Sequence, residues 1–219
     1  MDEKCMKRKF VFDLCNEQQI EINIPEILDP RYGMYTWPAA AVLAQYIVNR
    51  RDYIKTKFIL ELGAGTSLPG ILASKLGANV TLSDNSLFPQ CIEHSKRSCK
   101  ENQVLDKVDF VGITWGQYSL ALLNLPHVDI VLASDCFYDE KDFEDVLVTV
   151  AFILNRYKNS KSWITYQERI SDFDIVHLLH KWKLKCCHIP LKMFDAGSSS
   201  IGQSHLPGNH TIRMIELTL

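Results

Sequence analysis

No charge of either sign dominates this chain. Its 219 residues carry 24 Lys and Arg against 26 Asp and Glu, a net charge of -2 with the histidines neutral. A general nucleic-acid binder is usually basic, so direct nucleic-acid binding is not expected. A basic protein or peptide partner remains compatible. The seven cysteines are an odd, irregularly spaced set with no CxxC pair, and Cys186 and Cys187 are adjacent. They read as reduced thiols of a cytosolic or nuclear protein, not as a disulfide framework. Cys91, His94 and Cys99 lie close together but fit no zinc-ligand spacing, and they read as helix residues with no metal. No apolar run approaches the roughly 20 residues of a membrane span, so no membrane association is expected. The charged start "MDEKCMKRKF" leads into no apolar h-region, which predicts no signal peptide. No internal repeat is visible.

What the chain does contain is an ordinary globular composition, 47% hydrophobic and 23% charged. A chain of this length buries roughly three quarters of its unfolded surface and needs no covalent staples. "KFVFDLC" and "IEINIPEIL" read as an N-terminal hairpin across "NEQQ". Pro38 opens a helix over "AAAVLAQYIVNR". From there the pattern alternates. The continuous apolar runs "FILEL", "NVTLSD", "VDFVGITW", "VDIVLASD" and "SWITYQ" are separated by helical patterns at 67–76, about 88–102, about 139–156 and about 172–183. Strands alternating with helices predict βαβ units and a mostly parallel sheet. "KLKCCHIPL" and "TIRMIELTL" have no helix between them, so they form an antiparallel pair at the sheet edge. The Gly/Ser-rich 195–209 connection between them reads as a flexible loop, either a substrate lid, an interaction segment or a disordered hairpin connection. No linker divides the chain. Residues 1–32 form an extension packed on a domain spanning 33–219.

The stretch "ELGAGTSLPG" (61–70) follows the first parallel strand. A strand, a glycine turn and a helix N-terminus create a ligand site, because glycine admits close approach and the helix start offers unpaired N–H groups. Thr66 or Ser67 is the expected N-cap, with Pro69 in the first turn. A dinucleotide fingerprint would need a glycine at position 68, which is Leu68. It also has no use for an acid at Glu61, whereas a methyl-donor site uses such a carboxylate for the ligand's ammonium. S-adenosylmethionine is therefore favoured over a dinucleotide, with a ligand-free tight turn as the bland alternative. Asp84 ends the next strand, where an acid accepts both ribose hydroxyls of an adenosine; it could instead be a helix N-cap before "NSLFPQ". Trp115, at a third strand end, either flanks an adenine or belongs to the core. Asp135 and Tyr138 follow the fourth strand, beside the place where a reactive group would point, although Asp135 could merely cap the helix beginning near Asp139. Trp37 has no role that physics alone assigns.

Trp37-Pro38, "ELGAGTSLPG", "LSD" (82–84), "TWG" (114–116) and "ASDCFYD" (133–139), in that order and at these spacings, resemble the seven-β-strand protein methyltransferases of family sixteen. The resemblance runs from about residue 33 to the C-terminus. It implies a Rossmann-like sheet of order 3-2-1-4-5-7-6 with strand seven antiparallel. It implies S-adenosyl-L-methionine as methyl donor and S-adenosyl-L-homocysteine as product. It implies donor contacts from Trp37, Glu61, Gly63, Asp84, Trp115 and Ala133, with Ala64, Gly65, Thr66, Asn85 and Ser134 on the same loops. The D-x-x-[YF] motif of the family falls on Asp135 and Tyr138, near the acceptor nitrogen. Most of the family methylates lysine. The branch nearest in motif is directed at histone arginine, which implies a basic protein substrate and an enzyme of nucleus and cytoplasm. A guanidinium wants more than one carboxylate, for which Glu140 or Glu168 is the candidate. The double-glutamate loop of the established arginine methyltransferases is not evident. Lysine as acceptor stays open, and so does a donor-binding partner module with little catalysis.

Overall fold

The computed structural model describes residues 5–14, 17–27, 34–169, 175–205 and 211–219. Strands β1 (Cys5–Asp13) and β2 (Gln19–Ile27) pair antiparallel as the expected hairpin. Helices α1 (Pro38–Asn49) and α2 (Arg51–Ile54) lead into β3 (Phe58–Leu62). Then follow α3 (Leu68–Lys75), β4 (Asn79–Asp84), α4 (Pro89–Glu101), β5 (Val108–Gly112), α5 (Leu120–Leu123), β6 (Ile130–Ser134), α6 (Glu140–Arg156) and β7 (Lys161–Gln167). The chain closes with α7 (Val176–Lys181), β8 (Lys185–His188), the two-residue strands β9 (Ser200–Ile201) and β10 (Ser204–His205), and β11 (Ile212–Thr218). The expected boundary between residues 32 and 33 and the expected start of the helix at 172 lie outside the described residues.

The main sheet has seven strands in the order β5-β4-β3-β6-β7-β11-β8. It is parallel from β5 to β7, and β11 runs antiparallel to both β7 and β8. This is the 3-2-1-4-5-7-6 arrangement, with β11 inserted so that β8 is the edge. The continuous apolar runs belong to strands buried on both faces, since successive side chains point to opposite sides. Ile59, Ile130, Leu132, Trp163 and Met214 face one core, with α1, α3 and the N-terminal hairpin. Leu60, Leu62, Val131, Ile164, Ile215 and Leu217 face the other, with α6 and α7. Phe10, Phe12, Ile22 and Ile24 of the hairpin join the first core and are almost fully buried. Cys91, His94 and Cys99 lie on the buried face of α4. No helix among the described residues is long and apolar enough to cross a membrane.

The 195–209 connection differs from the loose loop expected. β9 and β10 pair with each other and dock on β1: Val11 donates its N–H to the Gly202 carbonyl at 2.7 Å, and Arg8 Nε donates to Ser204 Oγ at 2.8 Å. A Gly/Ser-rich composition signals conformational freedom in isolation, but β1 supplies a backbone partner that local sequence does not reveal. Residues 206–209 of that connection are outside the described set.

Candidate active site

The C-terminal ends of β3, β4 and β6 lie side by side, the edge where open α/β sheets bind ligands. Leu62 is in register with Ala133, and Glu61 with Leu82, so the glycine turn, Asp84 and Asp135 leave three neighbouring strand ends.

Glu61 is fully buried on the sheet face toward α3. Its Oε2 accepts the Gly70 N–H at 2.9 Å, at the third position of α3. The carboxylate thus meets a helix N-terminus, where negative charge is favoured. Gly70 makes this approach possible, because a Cβ there would lie 2.5 Å from Glu61 Oε2 and closer still to Leu82 Cδ2. The glycine that comes two residues late for a dinucleotide turn is the one that lets α3 settle onto β3 and β4. Capping departs from expectation. Ser67 stands at the cap position but in the left-handed region, φ 63°, so its hydroxyl turns away to Ser95 Oγ at 2.8 Å instead of capping α3. Thr66 also does not cap; its hydroxyl meets that of Thr36 at 3.0 Å.

Glu61 Oε1 is buried with no hydrogen-bond partner among the described residues. Desolvation pushes the Glu61 pKa up to about 8, opposed by the Gly70 N–H and reinforced by the charge of Asp84. A buried polar atom left open at a ligand edge calls for a donor group. The ammonium of S-adenosylmethionine, directly or through water, supplies that donor, and the residues present therefore fit this cofactor.

Gly63 is in the left-handed region, φ 60°, and a Cβ there would lie 2.8 Å from Trp115 Cζ2 and 3.1 Å from Cys136 Sγ. Trp115 is half-buried and rests its ring edge on this turn, next to the second core. Burial pushes the Cys136 thiol well above its ordinary value, so it stays neutral and is no nucleophile. Asp84 Oδ2 accepts the Gly65 N–H at 2.9 Å and its Oδ1 accepts the Asn85 N–H at 2.8 Å. It ties the glycine turn to the next strand end and caps no helix. Asn85 Oδ1 accepts from the Leu87 N–H and the Thr114 hydroxyl, which joins the β4 and β5 loops. Ala64, Gly65 and Thr66 are buried within the turn. Ala133 is also fully buried, in the second core, so at the end of β6 it is Ser134 that reaches the surface.

The second half of the site is at Asp135. Its φ of 55° is unusual for a residue other than glycine, and its N–H donates to the Thr165 carbonyl at 2.7 Å. Backbone held in this region costs on the order of 1–3 kcal/mol and concentrates at functional positions. The helix that Asp135 might have capped begins at Glu140 and is capped instead by Asp139, whose side chain accepts the Lys141 N–H. The buried Asp135 carboxylate is gripped by Arg169: Nη1 donates to Oδ1 at 2.9 Å and Nη2 to Oδ2 at 2.6 Å. The Gln167 N–H adds a bond to Oδ1 at 3.2 Å. The Arg169 guanidinium also lies 5.7 Å from the ring centroid of Trp37, which places Trp37 beside the Asp135–Arg169 pair. Trp37 and Tyr138 are both exposed there.

Glu168 does not join this group. Its carboxylate accepts from Arg213 Nη2 at 3.0 Å and from Nε at 3.2 Å. Just past the end of β7, the Glu168 N–H donates to the Thr211 carbonyl at 2.8 Å, which holds Glu168 on the β11 side. Glu140 is exposed at the start of α6. Arg169 was missed by sequence reasoning, although β7 was placed beside β6; a cation just past one strand end and an acid just past its neighbour is the signal that identifies such a pair.

A model of a family described as lysine methyltransferase matches residues 16–179. The chain is 50% identical over 204 residues to "Histone-arginine methyltransferase METTL23" of Xenopus laevis, covering 93% of this chain and 87% of that protein. It is 49% identical over 185 residues to the Homo sapiens protein of the same description, covering 84% and 97%. Among solved structures, the glycopeptide N-methyltransferase MtfA complexed with S-adenosylmethionine superposes with a TM-score of 0.57 at 12% identity, over 82% of this chain and 86% of that one. At that identity the likeness is one of fold.

Proposed function

The chain belongs to the lysine methyltransferase family and is an S-adenosylmethionine-dependent methyltransferase, and from that premise we propose that it methylates arginine side chains of histones. The names of its relatives at about half identity support this acceptor. The observation that carries it is the pairing of a buried carboxylate with an exposed aromatic face, Asp135 and Trp37, which together grip the planar guanidinium of Arg169.

Bound at the glycine turn, S-adenosylmethionine supplies a methyl group on a positively charged sulfur. Glu61 and the turn hold the amino-acid end of the donor, and Asp84 with Asn85 holds the ribose. Asp135 would hold and orient the acceptor guanidinium, with Tyr138 and Trp37 beside it. Positioning of this kind supplies most of the catalysis in a two-body displacement. An arginine above pKa 12.5 does not shed its proton beforehand, so Asp135 would take the proton from the acceptor nitrogen as the N–C bond forms and the S–C bond breaks, with S-adenosyl-L-homocysteine leaving. With Glu168 turned to Arg213, Asp135 is the carboxylate that does this.

Lysine is the second reading, favoured by the description of the family. Incubation of the full chain with labelled donor and core histones, followed by mass spectrometry, decides between methylarginine and methyllysine. Asp135→Asn is expected to lower kcat about 100-fold or more with donor binding intact. Undiminished turnover in that variant overturns the role of Asp135. With a histone acceptor the enzyme belongs in the nucleus, and we place it in the cytoplasm as well; fractionation of cells expressing it tests this.

A further inference from the structure

Arg169 stands where an acceptor arginine would stand. Both oxygens of Asp135 are bonded to its two terminal nitrogens, and the ring of Trp37 lies along it. A carboxylate engaged side-on by one guanidinium cannot be engaged side-on by a second. Substrate and Arg169 therefore exclude one another. We propose that Arg169 is an internal competitor for the cradle of Asp135 and Trp37, displaced by the acceptor, and that this exchange sets how tightly the enzyme binds any acceptor that uses the cradle; the proposal rests on the reading of Asp135 as the acceptor's carboxylate.

The two members of the pair differ in their freedom to leave. The Asp135 side chain is 5% exposed and that of Arg169 is 29% exposed. Asp135 is further held by its own N–H on Thr165 and by the Gln167 N–H on its carboxylate. Arg169 lies beyond the end of β7, open to water on one side, so its charge is not stranded when it swings out. An incoming guanidinium replaces both lost bonds and the aromatic contact like for like. An incoming ammonium is a point charge that cannot reproduce the two-bond fork, so it displaces Arg169 poorly. The cost of displacing Arg169 is the same for either acceptor, so the cradle itself favours the guanidinium and Arg169 lowers the affinity for both. It is an affinity-setting residue that acts through Asp135.

The test uses the full chain and methylguanidinium as probe, followed by calorimetry, together with arginine and lysine versions of one histone-tail peptide. Removal of Arg169 exposes a buried carboxylate, so R169Q is measured beside R169A, and D135N/R169Q provides a variant without the ion pair. If Arg169 fills the cradle nine-tenths of the time, the probe binds R169Q about tenfold more tightly than wild type and KM for the arginine peptide falls by a similar factor. The arginine-to-lysine ratio of kcat/KM stays unchanged, because displacing Arg169 costs both acceptors equally, and D135N/R169Q binds no probe. Equal probe binding in wild type and R169Q, or a KM that rises while kcat collapses, overturns the proposal and makes Arg169 a permanent support of Asp135. Probe binding that tightens in R169Q while wild type methylates no histone arginine upholds the cradle and overturns the histone-arginine reading. Histone-arginine methylation with probe binding insensitive to residue 169 upholds that reading and overturns the exchange.

Discussion

At Glu61 one oxygen caps α3 through Gly70 and the other is buried without a partner among the described residues, while burial lifts the pKa to about 8. The group is therefore largely protonated near pH 7 before the donor binds. An ammonium beside it favours the charged form, so donor binding at pH 7 is expected to expel up to about one proton. Calorimetry in buffers of different ionisation enthalpy reads this number directly, and Glu61→Gln should bring it to near zero and weaken the donor. The same shift governs stability. A carboxyl whose folded pKa is raised binds more protons folded than unfolded, so its contribution is fully present below the ordinary value of 4.5 and declines as pH rises toward about 8. Glu61→Gln should flatten the stability profile across that window in thermal melts. The acid itself was legible from its place before the glycine turn. Its helix-capping partner was not, because Gly70 meets it only once α3 folds back over β3.

The elements around the site are tied together by short polar links that cross layers. Arg8 of β1 lies 3.7 Å from Glu26 of β2, Glu26 Oε1 accepts the Thr36 N–H at 3.1 Å, and the Thr36 hydroxyl meets Thr66 in the glycine turn. The N-terminal hairpin, expected only as an extension, thus reaches the donor loop through a buried carboxylate. Glu26→Ala leaves the buried Thr36 N–H unsatisfied and should cost about 1–3 kcal/mol. Denaturant titration measures that loss, and calorimetry should show weaker donor binding in the same variant. The hairpin was legible from its alternation of apolar and polar residues. The docking of β9 and β10 on β1 was not, since it joins residues nearly two hundred positions apart.

Across the whole molecule one sheet separates two cores, and β3, β6, β7 and β11 contribute to both. The hairpin shares the first core through Phe10, Phe12, Ile22 and Ile24. We infer that extension and domain unfold together, so fluorescence and circular dichroism should report one coincident transition in denaturant. Two separated midpoints would show the hairpin to be an independent unit. By itself, the sequence determined the strand and helix alternation, the sheet order by family resemblance, the donor turn and the acid at the end of β6. These are local facts, carried by apolar periodicity, glycine placement and position at a strand end. Only the tertiary structure decided that Arg169 holds Asp135, that Glu168 turns to Arg213, that Trp37 lies beside Arg169 and that Gly70 admits Glu61. Each of those depends on which strand ends and helix starts become neighbours, and long-range packing sets that.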